Sequence, residues 1–462
     1  MGKPDSQNEG VPPMHSRARP PIVALRCDHE RTWGANLQYS RTHVSRRCLG
    51  RGSKPLRRVF SANDSRGPQH ETAVAVHLRA TLTADPGFAL AHCLKGCFAM
   101  LSQRRANLGA AADAERAAAG LGALDTPREQ AHVAALGAWI AGDLDRALAI
   151  WEHILAEHPT DVLALRLTHF NCFWLGRPKR MLRSIGTAWR HWHEDLPAYG
   201  LAMSCHAFAL EECGDHARAE HAGRRAVEIE PADLWGVHAV AHVLQTQHRL
   251  DATVAWLDAA ETVFCGANNI VHHLDWHRAL CHLKRGQFDT VMLLYDRRIR
   301  NLESPLVTAQ PDFYLDIMNA ASLLWLLEAK DVDVGQRWGE IADQAEARLD
   351  DCQSAFALPH WMMALAATGR REAAQRMLQA LHVCGENGMA TARIVRSIAA
   401  PVCEAVWMYH RGEYQRVGEL MRPVQTEMHE LGGSHVQQRV LQQLLADANA
   451  RCKCDGDDFG QA

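Results

Sequence analysis

The chain has 462 residues, 47% of them hydrophobic and 22% charged, with a formal net charge of −3. It is long enough for several domains or one extended array. It carries no apolar run long enough to span a bilayer, and its N-terminus lacks the apolar core of a signal peptide, so a cytoplasmic protein is expected. Charge is uneven along the chain: residues 1–68 hold 13 Lys and Arg against 5 Asp and Glu, a formal +8, and the remainder holds 37 basic and 48 acidic residues, a formal −11. An acidic body argues against nucleic-acid binding by the main part of the molecule. The 14 cysteines are scattered singly, with only Cys452 and Cys454 close together. Reduced thiols packed as small apolar residues are expected.

Residues 1–68 contain clusters such as RARPP and RCLGRGSKPLRR and show no apolar periodicity of 2 or 3.6, which predicts a basic, disordered arm. From Glu71 the pattern is helical. Glu71–Ala84 and Phe88–Arg105 read as helices around Asp85-Pro86-Gly87, an Ala-rich helix follows over Gly109–Gly120, and Asp125-Thr126-Pro127 starts the next. Helix pairs then recur. Their turns are marked by Gly142, Gly176, Gly214, His248, Gly286, a position near Lys330, Gly369 and Gly412, and the first four intervals are 34, 38, 34 and 38 residues. That is the tetratricopeptide period.

Small residues keep register with these turns. Ala135, Ala207, Ala241, Ala279 and Ala405 lie seven positions before their markers, and Ala147, Ala219 and Ala374 lie five after, with Thr253 and Val291 as substitutes. Four further on come Trp151, Leu257, Tyr295, Leu378 and Met421. The pattern predicts an all-α, right-handed α-solenoid of tetratricopeptide-like pairs over residues 69–451, ending in a capping helix at Ser434–Ala450 and a frayed tail at 452–462. The first helices of successive pairs should line a concave groove.

The runs ALAHCLKGCFAML, REQAHVAALGAWIAGDLDRALAIWE, HAVAHVLQTQHRLD and NNIVHHLDWHRALCHL are similar to the tetratricopeptide repeat protein 38 family, over roughly residues 85–450. The resemblance implies a helical-repeat fold and names no molecular activity. His248 departs from the glycine usual at that turn.

The stretch from Asp233 to Arg298 stands apart, because each of its opening helices carries two histidines four residues apart, His238 with His242 and His273 with His277. That spacing puts both rings of a pair on one helical face. On repeat geometry His238, His242 and His273 face the groove, His277 lies nearer the interhelix seam, and Glu211 and Glu212 come from the preceding repeat. Such a set could chelate a divalent metal ion in a mixed nitrogen and oxygen shell. Between His238 and His242 lie Ala239, Val240 and Ala241, so the zinc-protease signature is not met. Packed seam histidines, or a protonated clamp for a carboxylate, are the alternatives.

Nucleophile-elbow, phosphate-loop and dinucleotide motifs are missing. Cys205-His206 and Cys281-His282 are neighbours about 100° apart on a helix and so form no nucleophile–base pair. Two functions follow as expectations. One is non-catalytic binding of a peptide or partner protein in the groove. The other is a small-molecule or metal-dependent enzyme built on the His and Glu cluster.

Overall fold

The computed structural model describes residues 73–121, 126–264, 267–384 and 390–458. The arm expected over residues 1–68 lies outside them. Among the described residues every regular element is helical. Three helices, α1 (Ala73–Ala84), α2 (Ala89–Leu101) and α3 (Leu108–Ala119), lead in. The pairs are α4 and α5 (Pro127–Ile140, Leu144–Glu157), α6 and α7 (Val162–Trp174, Pro178–Trp189), and α8 and α9 (Tyr199–Glu212, His216–Ile229). They continue as α10 and α11 (Leu234–Thr246, Leu250–Ala260) and α12 and α13 (Ile270–Lys284, Phe288–Leu294). After the short α14 (Pro305–Ala309) come α15 and α16 (Tyr314–Glu328, Arg337–Glu346) and α17 and α18 (Ala357–Ala367, Arg371–Cys384). The short α19 (Ala390–Ile394), the pair α20 and α21 (Ala400–His410, Tyr414–Met421) and α22 (His435–Asp458) complete the described residues.

The turn register matches the sequence reading. Seven of the marker residues adopt a positive φ, from 60° at Gly176 to 85° at Gly214, and the eighth turn falls at Asp331 with φ 59°, one residue beyond Lys330. His248 accepts the left-handed conformation at φ 60°, at the steric cost a Cβ carries there. The small register residues Ala135, Ala207, Ala241, Ala279 and Ala405 are fully buried between paired helices, as are Trp151, Leu257 and Met421. Helix starts are capped by side chains. The Thr126 backbone N–H donates to the Glu129 carboxylate at 2.9 Å, and Asp143, Asp161, Asp215 and Asp233 accept from the first turns of α5, α6, α9 and α10.

The inner wall departs from expectation, because it is not an open groove. Buried residues make up 12 of 14 in α8, 11 of 13 in α10, 12 of 15 in α12, 12 of 15 in α15 and 10 of 11 in α17. Only three of 14 are buried in the outer helix α9. A helix buried on every face is interior by construction.

The late repeats close on the early ones. Trp174 at the end of α6 meets Tyr314 of α15 edge-on, with ring centroids 5.4 Å apart. The Arg105 backbone N–H donates to Asp351 at 2.9 Å, and Arg348 donates to the Gln103 carbonyl at 2.8 Å. The segment before α22 crosses this seam at Gly432 and Gly433, both at positive φ (93° and 77°). A Cβ on Gly432 would strike the Trp174 carbonyl, and one on Gly433 would sit 2.7 Å from the Phe356 ring. Glycine is therefore required twice, by conformation and by space. The last helix does more than cap the array. It runs on to Asp458, past the expected frayed boundary, and its first residue reaches the third and fourth pairs. Cys352 and Cys384 are joined in a disulfide, which corrects the expectation of uniformly reduced thiols. No helix among the described residues is long and apolar enough to cross a membrane.

Candidate metal centre

Helix α10 brings His238 and His242, and α12 brings His273 and His277. The rotation of α10 is set at its start, where the Asp233 carboxylate accepts the Trp235 N–H at 3.0 Å and the Ser204 hydroxyl at 2.5 Å. The four rings converge. Centroids lie 4.4 Å apart for His238–His242, 4.5 Å for His242–His277, 4.7 Å for His273–His277 and 4.9 Å for His238–His273. All four residues are at most 3% exposed. His277 was expected nearer the seam, but it points into the cluster with the other three. Residues four apart turn by only about 40° on a helix, so it could not leave the face His273 occupies.

The ring nitrogens are sorted by what they touch. His277 Nδ1 donates to Gln245 Oε1 at 2.6 Å, and His273 Nδ1 donates to Asn319 Oδ1 at 2.9 Å. Both partners are amide oxygens, so an Nδ1–H on each ring satisfies the contact and leaves the two Nε2 atoms turned inward. Those two Nε2 atoms are 3.2 Å apart. Neither nitrogen of His238 nor of His242 has a hydrogen-bond partner. Leaving one such buried group unmade costs on the order of 1–3 kcal/mol. Burial pushes the His242 and His273 imidazoles down to about 3, and those of His238 and His277 well below their ordinary value. The neutral, lone-pair-bearing form is the one that binds metal.

The surroundings hold this form in place. Trp276 stacks on His273 with centroids 5.2 Å apart, and Phe208 lies 5.2 Å from His238 and 5.3 Å from His242. A tetrahedral ion with bonds of about 2.0–2.1 Å separates its ligand atoms by about 3.3–3.4 Å. The 3.2 Å between the two Nε2 atoms is close to that edge.

A second group of side chains adjoins the first through His242. Its Nδ1 lies 3.4 Å from Glu211 Oε2 and 3.9 Å from Glu212 Oε1, both from α8. His435, the first residue of α22, completes the group: its Nδ1 is 3.2 Å from Glu212 Oε1 and its Nε2 is 2.9 Å from the Thr246 hydroxyl. Burial pushes the Glu211 and Glu212 carboxyls up. Burial works against protonation of His435, but contact with Glu212 and the Glu211 charge outweigh it and hold its imidazole above the ordinary value.

All six sequence candidates, Glu211, Glu212, His238, His242, His273 and His277, are thus brought together, but inside a closed interior rather than on an exposed groove wall. The sequence reading missed His435, Gln245 and Asn319. A signal for His435 existed in Ser434-His435-Val436-Gln437, a capping box in which Ser434 N–H donates to Gln437 Oε1 at 3.0 Å and fixes the first turn of α22. Cys205 and Cys281 are packing residues as expected. Both are buried, and burial pushes the Cys281 thiol up to about 11.

Among its described residues the chain is therefore an all-helical array of packed pairs with a buried histidine cluster between two successive inner helices. No protein-family model matches it.

Proposed function

We propose that the protein binds a divalent transition-metal ion in its interior, on His238, His242, His273 and His277. One observation carries this reading: four buried imidazoles converge, two with Nδ1 turned outward onto amide oxygens and two without any hydrogen-bond partner. Amide acceptors behind two ligands are the outer-shell arrangement that orients metal-binding histidine. Four imidazoles without a thiolate suit zinc, copper, nickel or iron. A shell of four protein ligands is saturated, so this ion is structural and ties α10 to α12. The metal-dependent enzyme reading belongs to the carboxylate side, where the His435 side chain is 32% exposed.

Binding of a peptide or partner protein, a cytoplasmic location, right-handed tetratricopeptide stacking and likeness to the tetratricopeptide repeat protein 38 family remain part of the proposal, but the concave groove expected for that binding does not. The filled interior moves any protein partner to the outer helices. The test is elemental analysis of protein purified without chelator. At least one equivalent of metal per chain is expected, lost on replacing His238 and His242 together by Gln. A metal-free protein that refuses zinc in equilibrium dialysis would overturn the reading.

A further inference from the structure

We infer that a second divalent ion binds beside the first, on His242 Nδ1, Glu211 Oε2, Glu212 Oε1 and His435 Nδ1, with the His242 ring bridging the two ions. The inference rests on the four-histidine reading above and extends it to a second site of different chemistry.

The spacings are those of a coordination shell. His242 Nδ1 to Glu211 Oε2 is 3.4 Å, His242 Nδ1 to Glu212 Oε1 is 3.9 Å, and His435 Nδ1 to Glu212 Oε1 is 3.2 Å. The edge expected for a tetrahedral ion is about 3.3–3.4 Å. If the carboxylates only oriented His242, its Nδ1–H would donate to one of them. No such bond exists: His242 Nδ1 and Glu211 Oε2 are buried without a hydrogen-bond partner, and Glu212 Oε1 has His435 Nδ1 beside it at 3.2 Å instead. These atoms converge on one gap, which His435 Nδ1 reaches from the solvent side.

The remaining contacts fit the same assignment. Glu211 Oε1 lies 3.4 Å from both the Thr246 hydroxyl and His435 Nε2, and that Nε2 is 2.9 Å from the hydroxyl. Thr246 thus holds the outer nitrogen of His435 and leaves Nδ1 for the ion. Adjacent buried carboxylates repel each other, and a dication between them neutralises both. Since His242 turns Nδ1 to the carboxylates, Nε2 is left for the other imidazoles. Binding both ions requires His242 to release its ring proton to solvent. Two imidazoles with two carboxylates suit zinc, iron, cobalt or manganese. This ion borders solvent at His435, whereas the four-histidine ion is enclosed.

Elemental analysis of the full chain after dialysis against zinc and gel filtration separates the possibilities. Two ions per chain are expected in the natural protein and one in the Glu211→Gln/Glu212→Gln variant. His435→Gln, at the edge of the site, serves as the second variant should the first fail to fold, and it should retain one tightly held ion and lose or weaken the other. A chelator should strip the ions in two phases, the His435-side ion first. Copper-loaded protein should show a spin-resonance signal diminished by coupling through the bridging ring, restored in both variants. One ion in the natural protein and one in both variants would overturn the second site and leave the four-histidine centre standing. Two ions in all three proteins would overturn the ligand assignment. No ion in any of them would overturn both readings.

Discussion

The Gln245 amide oxygen accepts from His277 Nδ1 at 2.6 Å, and the two residues belong to successive inner helices, α10 and α12. The contact joins neighbouring repeats and fixes the tautomer of a proposed metal ligand. Gln245→Leu keeps the volume and deletes the acceptor. Zinc affinity in a chelator competition should fall about 10–100-fold. An unchanged affinity would mean that the His277 ring is oriented by packing alone.

The double replacement of His238 and His242 by Gln separates ligand from scaffold. If the rings are ligands, the variant folds, loses its metal, and its thermal midpoint no longer rises when zinc is added. The natural protein, in contrast, should gain roughly 2.7 kcal/mol at zinc 100-fold above its dissociation constant. Equal zinc response in both proteins contradicts the ligand role.

Acid stability should depend on a different pair. Asp161 caps α6 and contacts Arg128 and His132. Burial works to raise its carboxyl, but His132 and Arg128 outweigh it and hold it well below the ordinary carboxylate range. A depressed folded-state value makes the contribution full above about pH 4, where the unfolded carboxylate is ionised, and drains it as pH falls below that. Asp161→Asn should cost about 3–5 kcal/mol at pH 7, because it leaves the half-buried Arg128 and the buried His132 without their carboxylate. Urea melts of both proteins at pH 7, 4 and 3 should show the gap narrowing only at the lowest pH. A constant gap would remove the charge from the account.

Ring closure is open to the same kind of test. Gly432→Ala places a Cβ against the Trp174 carbonyl at a left-handed φ of 93°. Conformation alone costs about 1–2 kcal/mol, and the clash adds to it. Amide hydrogen exchange should accelerate first in α22 and at the end of α6, with α4 and α5 less affected. Uniform acceleration would show a single cooperative unit instead of a seam.

The turns and their small neighbours were legible because they obey local rules. A tight turn needs a left-handed residue, and two close helices need a small one, so Gly142, Ala135 and Ala147 announce a pair within a dozen residues. Of the two turns without glycine, His248 fell at its expected place and Asp331 within one residue of it. The His238–His242 and His273–His277 pairs were visible for the same reason. Their burial was not, because it depends on contacts such as Trp174 with Tyr314 and Arg105 with Asp351, between residues far apart in the chain. No periodicity encodes such a closure. His435 was hidden likewise: it meets Thr246 across 189 positions, and only its capping box was local.

The most direct test of the central claim is X-ray absorption at the edge of the metal in the purified protein. The account predicts an ion surrounded mainly by imidazole nitrogens at about 2.0–2.1 Å, with the outer-ring scattering of histidine. That signal should vanish in the His238→Gln/His242→Gln variant. A shell of sulfur or of oxygen alone, or a spectrum the variant leaves unchanged, would contradict it.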